Sequence, residues 1–280
     1  MTQAVKLLAL IDILFIVFLI ASGSTSGVLS DVIYYLGFLV LAYVGYRASF
    51  RYRREREEIR GLREPEDRLL FIDKETPRVV LPIIAPTVAI IFVSALLTSL
   101  LLTAFGFEQP PLENRPIFEM IIVRALAPAL LEELLFRYIP MKLIMPYSKR
   151  WCVILSSLFF SLIHCSLFQI PYALVAGIIL VCIDMITGSI WPSVIIHFVN
   201  NVLSLIWMKY CHTPRGVWTF VAIFGAVTLI SLVFILKKRD FYKKRLIAVF
   251  ERGEEPKDMR APLALMALSL FIAVVNLLST

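Results

Sequence analysis

Hydrophobic residues fall into long unbroken runs separated by short charged connections. The runs cover residues 5–21, 28–46, 79–105, 117–147, 151–168, 171–187, 191–209, 217–236 and 262–278. Each is close to the roughly 20 residues that an α-helix needs to cross a bilayer. Runs this long and continuous lack the alternation of a membrane barrel strand, and lipid admits only helices or closed barrels. The pattern therefore predicts an all-α polytopic membrane helix bundle of about eight to nine transmembrane helices. The first run has the outline of a signal peptide, with Lys6 near its start and Ala21-Ser22-Gly23 at its end. Multi-spanning chains commonly begin with an uncleaved helix of this kind, and it is expected to stay.

Composition agrees, with 59% hydrophobic residues and a mean hydropathy of +0.83. The net charge of +7 is no sign of nucleic acid. Ten of the 28 Lys and Arg lie between Arg47 and Arg78 and nine between Lys237 and Arg260. The positive-inside rule puts both connections in the cytoplasm, with the N-terminus inside and the C-terminus outside. The basic loops, including Arg51, Arg53, Arg54 and Arg56, face anionic lipid as their expected partner. Residues 53–68 read either as a surface helix or as a solvated charged loop. Three parts follow: an N-terminal two-helix membrane module with its basic cytoplasmic loop (1–78), a transmembrane core (79–236), and a basic cytoplasmic segment with the last helix (237–280). Asp12 reads as an exposed oddity that makes a packing or interfacial contact rather than a working acid, and Cys152, Cys165, Cys182 and Cys211 show no paired spacing and read as reduced.

Against this apolar background a few polar residues stand out. Glu132, Glu133 and Arg137 lie inside the fourth run. Each ionisable group at a helix centre costs about 2.5–3.5 kcal/mol on insertion scales. Glu133 and Arg137 are one helical turn apart and can pair, whereas Glu132 is turned about 100° away and needs a partner from another helix. Pro128 is expected to kink the helix beside the acid, and Pro140 to leave the Phe136 carbonyl free. Downstream, His164 follows Phe160 by one turn, and His197 precedes Asn201 by one turn. With the inferred orientation, Glu132 and His164 each lie about 20 Å along their helices from the cytoplasmic end. His197 and Asn201 lie at overlapping depth, so the four side chains suggest one pocket open to the cytoplasm. Arg124, Glu119 and Asn200 converge less well, and Asp184 reads as a cap or pocket wall.

A carboxylate and an imidazole around one water can remove its proton and direct it at a carbonyl. A His and an Asn one turn apart offer two donors to the oxygen that becomes negative. Glu132 and His164 are thus candidates for water activation, and His197 and Asn201 for the oxyanion. Other readings remain open at this stage. The charged residues could form only a clasp between helices, Glu132 and His164 could relay protons in a carrier, or Glu132, His164 and His197 could hold a zinc ion. Cofactors are otherwise expected to be none, since Asn201 suits an anion better than zinc. No His-Glu-x-x-His, no Gly-x-Ser-x-Gly and no intramembrane Asp pair is present.

Glu132-Glu133-x-x-x-Arg137, Phe160-x-x-x-His164 and His197-x-x-x-Asn201, the last approached by Thr187-Gly188-Ser189-Ile190-Trp191-Pro192, resemble the membrane-embedded family of type II CAAX prenyl endopeptidases and their bacterial relatives, the Abi or bacteriocin-processing (CPBP) group. The resemblance covers about residues 117–209. It implies a CAAX-protease-like core and an intramembrane glutamic endopeptidase, with Glu132, His164, His197 and Asn201 catalytic; the alternative on the same fold is a non-enzymatic immunity or scaffold membrane protein. Glu133, Arg137 and Phe160 would support those four residues. It further implies a membrane-anchored peptide or protein substrate, lipidated or not, cut near the cytoplasmic face of a bacterial cell membrane. Tyr138 stands where many relatives have a small residue and would narrow the pocket. The first two helices and the last lie outside the resemblance.

Overall fold

The computed structural model describes residues 1–24, 27–60, 69–72, 76–107, 115–211, 213–250 and 253–278. Every regular element among them is a helix. They are α1 (Thr2–Gly23), α2 (Gly27–Arg60), α3 (Thr76–Ala104), the interrupted α4 (117–143), α5 (Lys149–Leu162), α6 (Ile170–Thr187), α7 (Trp191–Tyr210), α8 (Pro214–Lys237), α9 (Arg239–Val249) and α10 (Arg260–Leu278). Seven of these helices, α1, α2, α3, α6, α7, α8 and α10, are long and apolar enough to cross a membrane. The chain is an integral membrane protein with a polytopic helical bundle. The two remaining apolar runs form α4, whose hydrogen-bond ladder changes register twice, and α5, which has only 14 residues and reaches about 21 Å.

Helices α1 and α2 pair as a hairpin, and α1 also packs on α10 while α2 packs on α4. On the other side α3 packs on α6, α7 and α8, and α5 lies tightly along α6. The closeness of the last pair depends on Gly177, where an added Cβ would come within 2.9 Å of the Ser157 Cα. Without a hydrophobic drive between helices in lipid, small residues that let backbones approach are what hold such pairs together. Gly177→Ala is expected to force α5 and α6 apart and to cost about 1–3 kcal/mol, read as a lower unfolding midpoint in detergent. An unchanged midpoint would show that the pair can separate freely.

Helix α2 continues without a break to Arg60, so the first part of the predicted 53–68 segment extends a membrane helix, and residues 61–68 lie outside the described residues. Most of the connection between α3 and α4, and the residue that follows α7 and Cys211, also lie outside them. Asp12 is not exposed as expected: it is buried at 2% exposure on the packed face of α1, where its part is a packing contact. At the basic end, Asp258 accepts from Arg260 and pairs with Lys6 at 2.9 Å. The Arg260 and Lys6 side chains hold its carboxyl below the usual carboxylate range. This contact puts the starts of α1 and α10 at one end of the bundle.

Candidate functional site

The site is built on α4, and two prolines shape it. Helical turns Ile117–Met120, Ala127–Glu133 and Ile139–Leu143 are joined by π-helical stretches Ile121–Leu126 and Leu134–Tyr138. In the first stretch the Ala127 amide bonds to the Ile122 carbonyl, five residues back. The next bond in that register would join Pro128 to Val123, and proline has no N–H. The orphaned Val123 carbonyl accepts instead from the phenol of Tyr35 on α2. Pro140 similarly leaves the Phe136 carbonyl open, which accepts from the Ser156 hydroxyl of α5 and from Arg137 Nη1. The expected kink at Pro128 is thus a change of helical register, of the kind that often marks functional sites. Tyr35→Phe leaves Val123 without its donor and is expected to lower stability by about 1–3 kcal/mol, measurable by thermal unfolding; no change would mean that water reaches the carbonyl.

Between the two register changes sit the carboxylates. Glu133 and Arg137, both fully buried, pair through Oε2 and Nε at 3.2 Å. The other Glu133 oxygen accepts from His197 Nδ1 at 2.8 Å. A carboxylate on Nδ1 fixes the tautomer and aims Nε2 elsewhere. That Nε2 lies 3.8 Å from Glu132 Oε2, and Glu132 Oε1 accepts from Tyr34 at 3.4 Å. The imidazole within ion-pair reach of Glu132 is therefore that of His197 on α7. The Arg137 guanidinium lies 4.5 Å over the Phe160 ring, which is a favourable cation–π geometry. Phe160 also meets the rings of His164 and His197 edge-on, at 5.3 and 5.8 Å, and so spaces the two imidazoles.

His164 lies in the turn beyond the C-terminus of α5 rather than within a helix. Cys165 next to it has a left-handed φ of 46°, uncommon for a residue with a side chain. The open end of α5 is satisfied by the last helix, where Ser269 donates to the Leu162 carbonyl and Asn276 to that of Cys165. Irregular backbone at membrane depth is tolerated where it is buried in protein or lines a cavity, and this turn borders a cavity. A cavity of about 250 Å³ is bordered by Glu132, His164, His197 and Asn201, with Tyr34, Arg124, Gln169, Tyr172 and Asn200. His164 Nδ1 is engaged by the Phe160 carbonyl at 2.9 Å, which leaves Nε2 as its unprotonated nitrogen in the neutral ring. Asn200 donates to the Asn201 carbonyl oxygen at 3.4 Å, freeing the Asn201 amide as donor.

Several neighbours differ from the sequence expectation. Arg124 and Asn200 border the cavity, although depth along its helix set Arg124 apart from it and helix phase set Asn200 apart. Tyr138 leaves the cavity alone and stacks on Tyr46 of α2 at 6.2 Å. Asp184, by contrast, is one of the two things expected of it, a cap: it accepts from the Ser193 amide at 3.2 Å in the first turn of α7. Tyr34, Tyr172 and Gln169 were not anticipated. Among the described residues no three His, Cys, Asp or Glu side chains gather in an arrangement that could hold a metal ion.

No curated protein and no solved structure matches the chain. Residues 114–203 match the family model described as type II CAAX prenyl endopeptidase Rce1-like; the stretch similar to that family carries Glu132, Glu133, Arg137, Phe160, His164, His197 and Asn201, and the rest of the chain lies outside the match.

Proposed function

We propose that this protein is an intramembrane endopeptidase that hydrolyses a peptide bond of a membrane-anchored substrate, lipidated or not, without a metal. The observation that carries the reading is one cavity, within an Rce1-like segment, bordered by a carboxylate, two imidazoles with committed Nδ1 atoms and an amide donor. A water held between Glu132 and the His164 Nε2 gives its proton to Glu132 as its oxygen adds to the scissile carbonyl. The developing oxyanion accepts from the Nε2–H of His197, whose ring carries a second proton on Nδ1 against Glu133, and from the Asn201 amide. Glu132 then returns the proton to the departing amine. Glu133, Arg137 and Phe160 hold His197 and His164 in place without touching the substrate. The cut lies near the cytoplasmic face of a bacterial cell membrane, with the N-terminus and the basic loops on the cytoplasmic side and anionic lipid at those loops.

The test uses protein in vesicles and a quenched, membrane-anchored reporter peptide, with and without a prenyl group. Cleavage is expected, and is expected to survive exhaustive chelation. Cleavage retained by Glu132→Gln, or lost on chelation and restored by zinc, overturns the reading.

A further inference from the structure

Glu132 has a partner that none of the motifs on α4, α5 and α7 provides. Tyr34 belongs to α2, outside residues 114–203, yet it borders the cavity and donates to Glu132 Oε1 at 3.4 Å. Glu132 Oε2 instead faces His197 Nε2 at 3.8 Å. The two oxygens of one carboxylate thus have different surroundings, one under a neutral donor and one on the histidine side. Tyr34 is itself held firmly. Its ring meets Phe15 at 5.7 Å, Tyr35 at 5.2 Å and Phe38 at 5.1 Å, all edge-on. Phe15 and Phe38 in turn contact Phe136 of α4, at 6.4 and 6.3 Å. An aromatic cluster from α1 and α2 therefore fixes the phenol relative to the helix that carries the acid.

We propose that Tyr34 is a positioning residue for Glu132. Its hydroxyl holds Oε1, so that Oε2 is the oxygen that takes the proton from water, and the N-terminal hairpin becomes part of the catalytic unit. The terminal torsion of a glutamate side chain is soft. A small misplacement of a general base slows a reaction far more than it weakens binding. The inference rests on the peptidase reading above.

Tyr34→Phe keeps the ring and its aromatic contacts and removes the hydroxyl alone. Losing a hydrogen bond to a charged group is expected to lower kcat about ten- to hundredfold, with KM within about twofold of the unsubstituted protein. In infrared difference spectra, the Glu132 carboxyl band, identified by its absence in Glu132→Gln, is expected to shift in Tyr34→Phe. Fluorotyrosine at position 34 changes the acidity of the hydroxyl at nearly constant shape, and should move the same band by a smaller step. A kcat within about twofold, a loss confined to KM, or an unshifted band overturns the inference and leaves the peptidase reading standing. Failure of the unsubstituted protein to cleave any reporter overturns both.

Discussion

Glu132→Gln is expected to slow peptide cleavage by about 10²–10⁴-fold without loosening the bundle. Glutamine matches glutamate in shape and can still accept from Tyr34 through its carbonyl oxygen, so the contact between α2 and α4 survives. What disappears is the group that takes the proton, together with a carboxylate that is only 5% exposed. Placing an ionised group in such surroundings is unfavourable unless it is fully paired, and the Glu132 pairings, at 3.4 and 3.8 Å, are long. The variant should accordingly unfold at or above the temperature of the unsubstituted protein while losing activity. Loss of function with gain of stability separates a working acid from a structural one. A clear fall in the unfolding midpoint with activity retained would make Glu132 part of a clasp between helices.

The bundle and the polar residues within it could be read in the sequence because both depend on contrast. Long apolar runs predict spans, and a charge inside one is conspicuous because lipid makes it unfavourable. Glu133 and Arg137 pair across one helical turn as spacing requires, since that contact is local. The features that escaped prediction are those set by neighbours distant in sequence. Hydropathy runs on through residue 168, yet α5 stops at Leu162. Ser269 and Asn276, more than a hundred positions away, supply the donors that the open carbonyls need. His164 consequently sits in a turn, where its ring is freed from helix phase. Tyr34 and Tyr35 read as ordinary aromatic residues of a membrane helix. Their roles come from the packing of α2 on α4 and from a carbonyl that becomes open only after α4 shifts to π register beside Pro128. Arg124, which depth along its helix sets apart, and Asn200, which helix phase sets apart, also border the cavity, because the register change in α4 and the close approach of α4 to α7 decide which side chains reach it.

Arg137→Met is the substitution with the largest expected effect on stability. Arg137 is 0% exposed and joins Glu133, the Phe136 carbonyl, Ser156 and the Phe160 ring. Removing it strands a buried carboxylate that its other partner, His197, cannot neutralise in every protonation state. Breaking a buried ion pair from one side costs about 3–5 kcal/mol. Methionine fills part of the vacated volume, so the lost charge rather than a cavity dominates. The double variant Arg137→Met with Glu133→Gln removes both charges, and is expected to recover most of that loss, since replacing a whole buried pair is often neutral. Activity should not return with stability. An amide at position 133 holds His197 Nδ1 without the charge that supports a doubly protonated ring, so the oxyanion donor is weakened even in a well-folded protein. Unfolding midpoints and cleavage rates for the two single variants and the double one decide the matter. If activity recovers in parallel with stability, Glu133 and Arg137 only brace the helices, and the orientation of His197 must come from elsewhere.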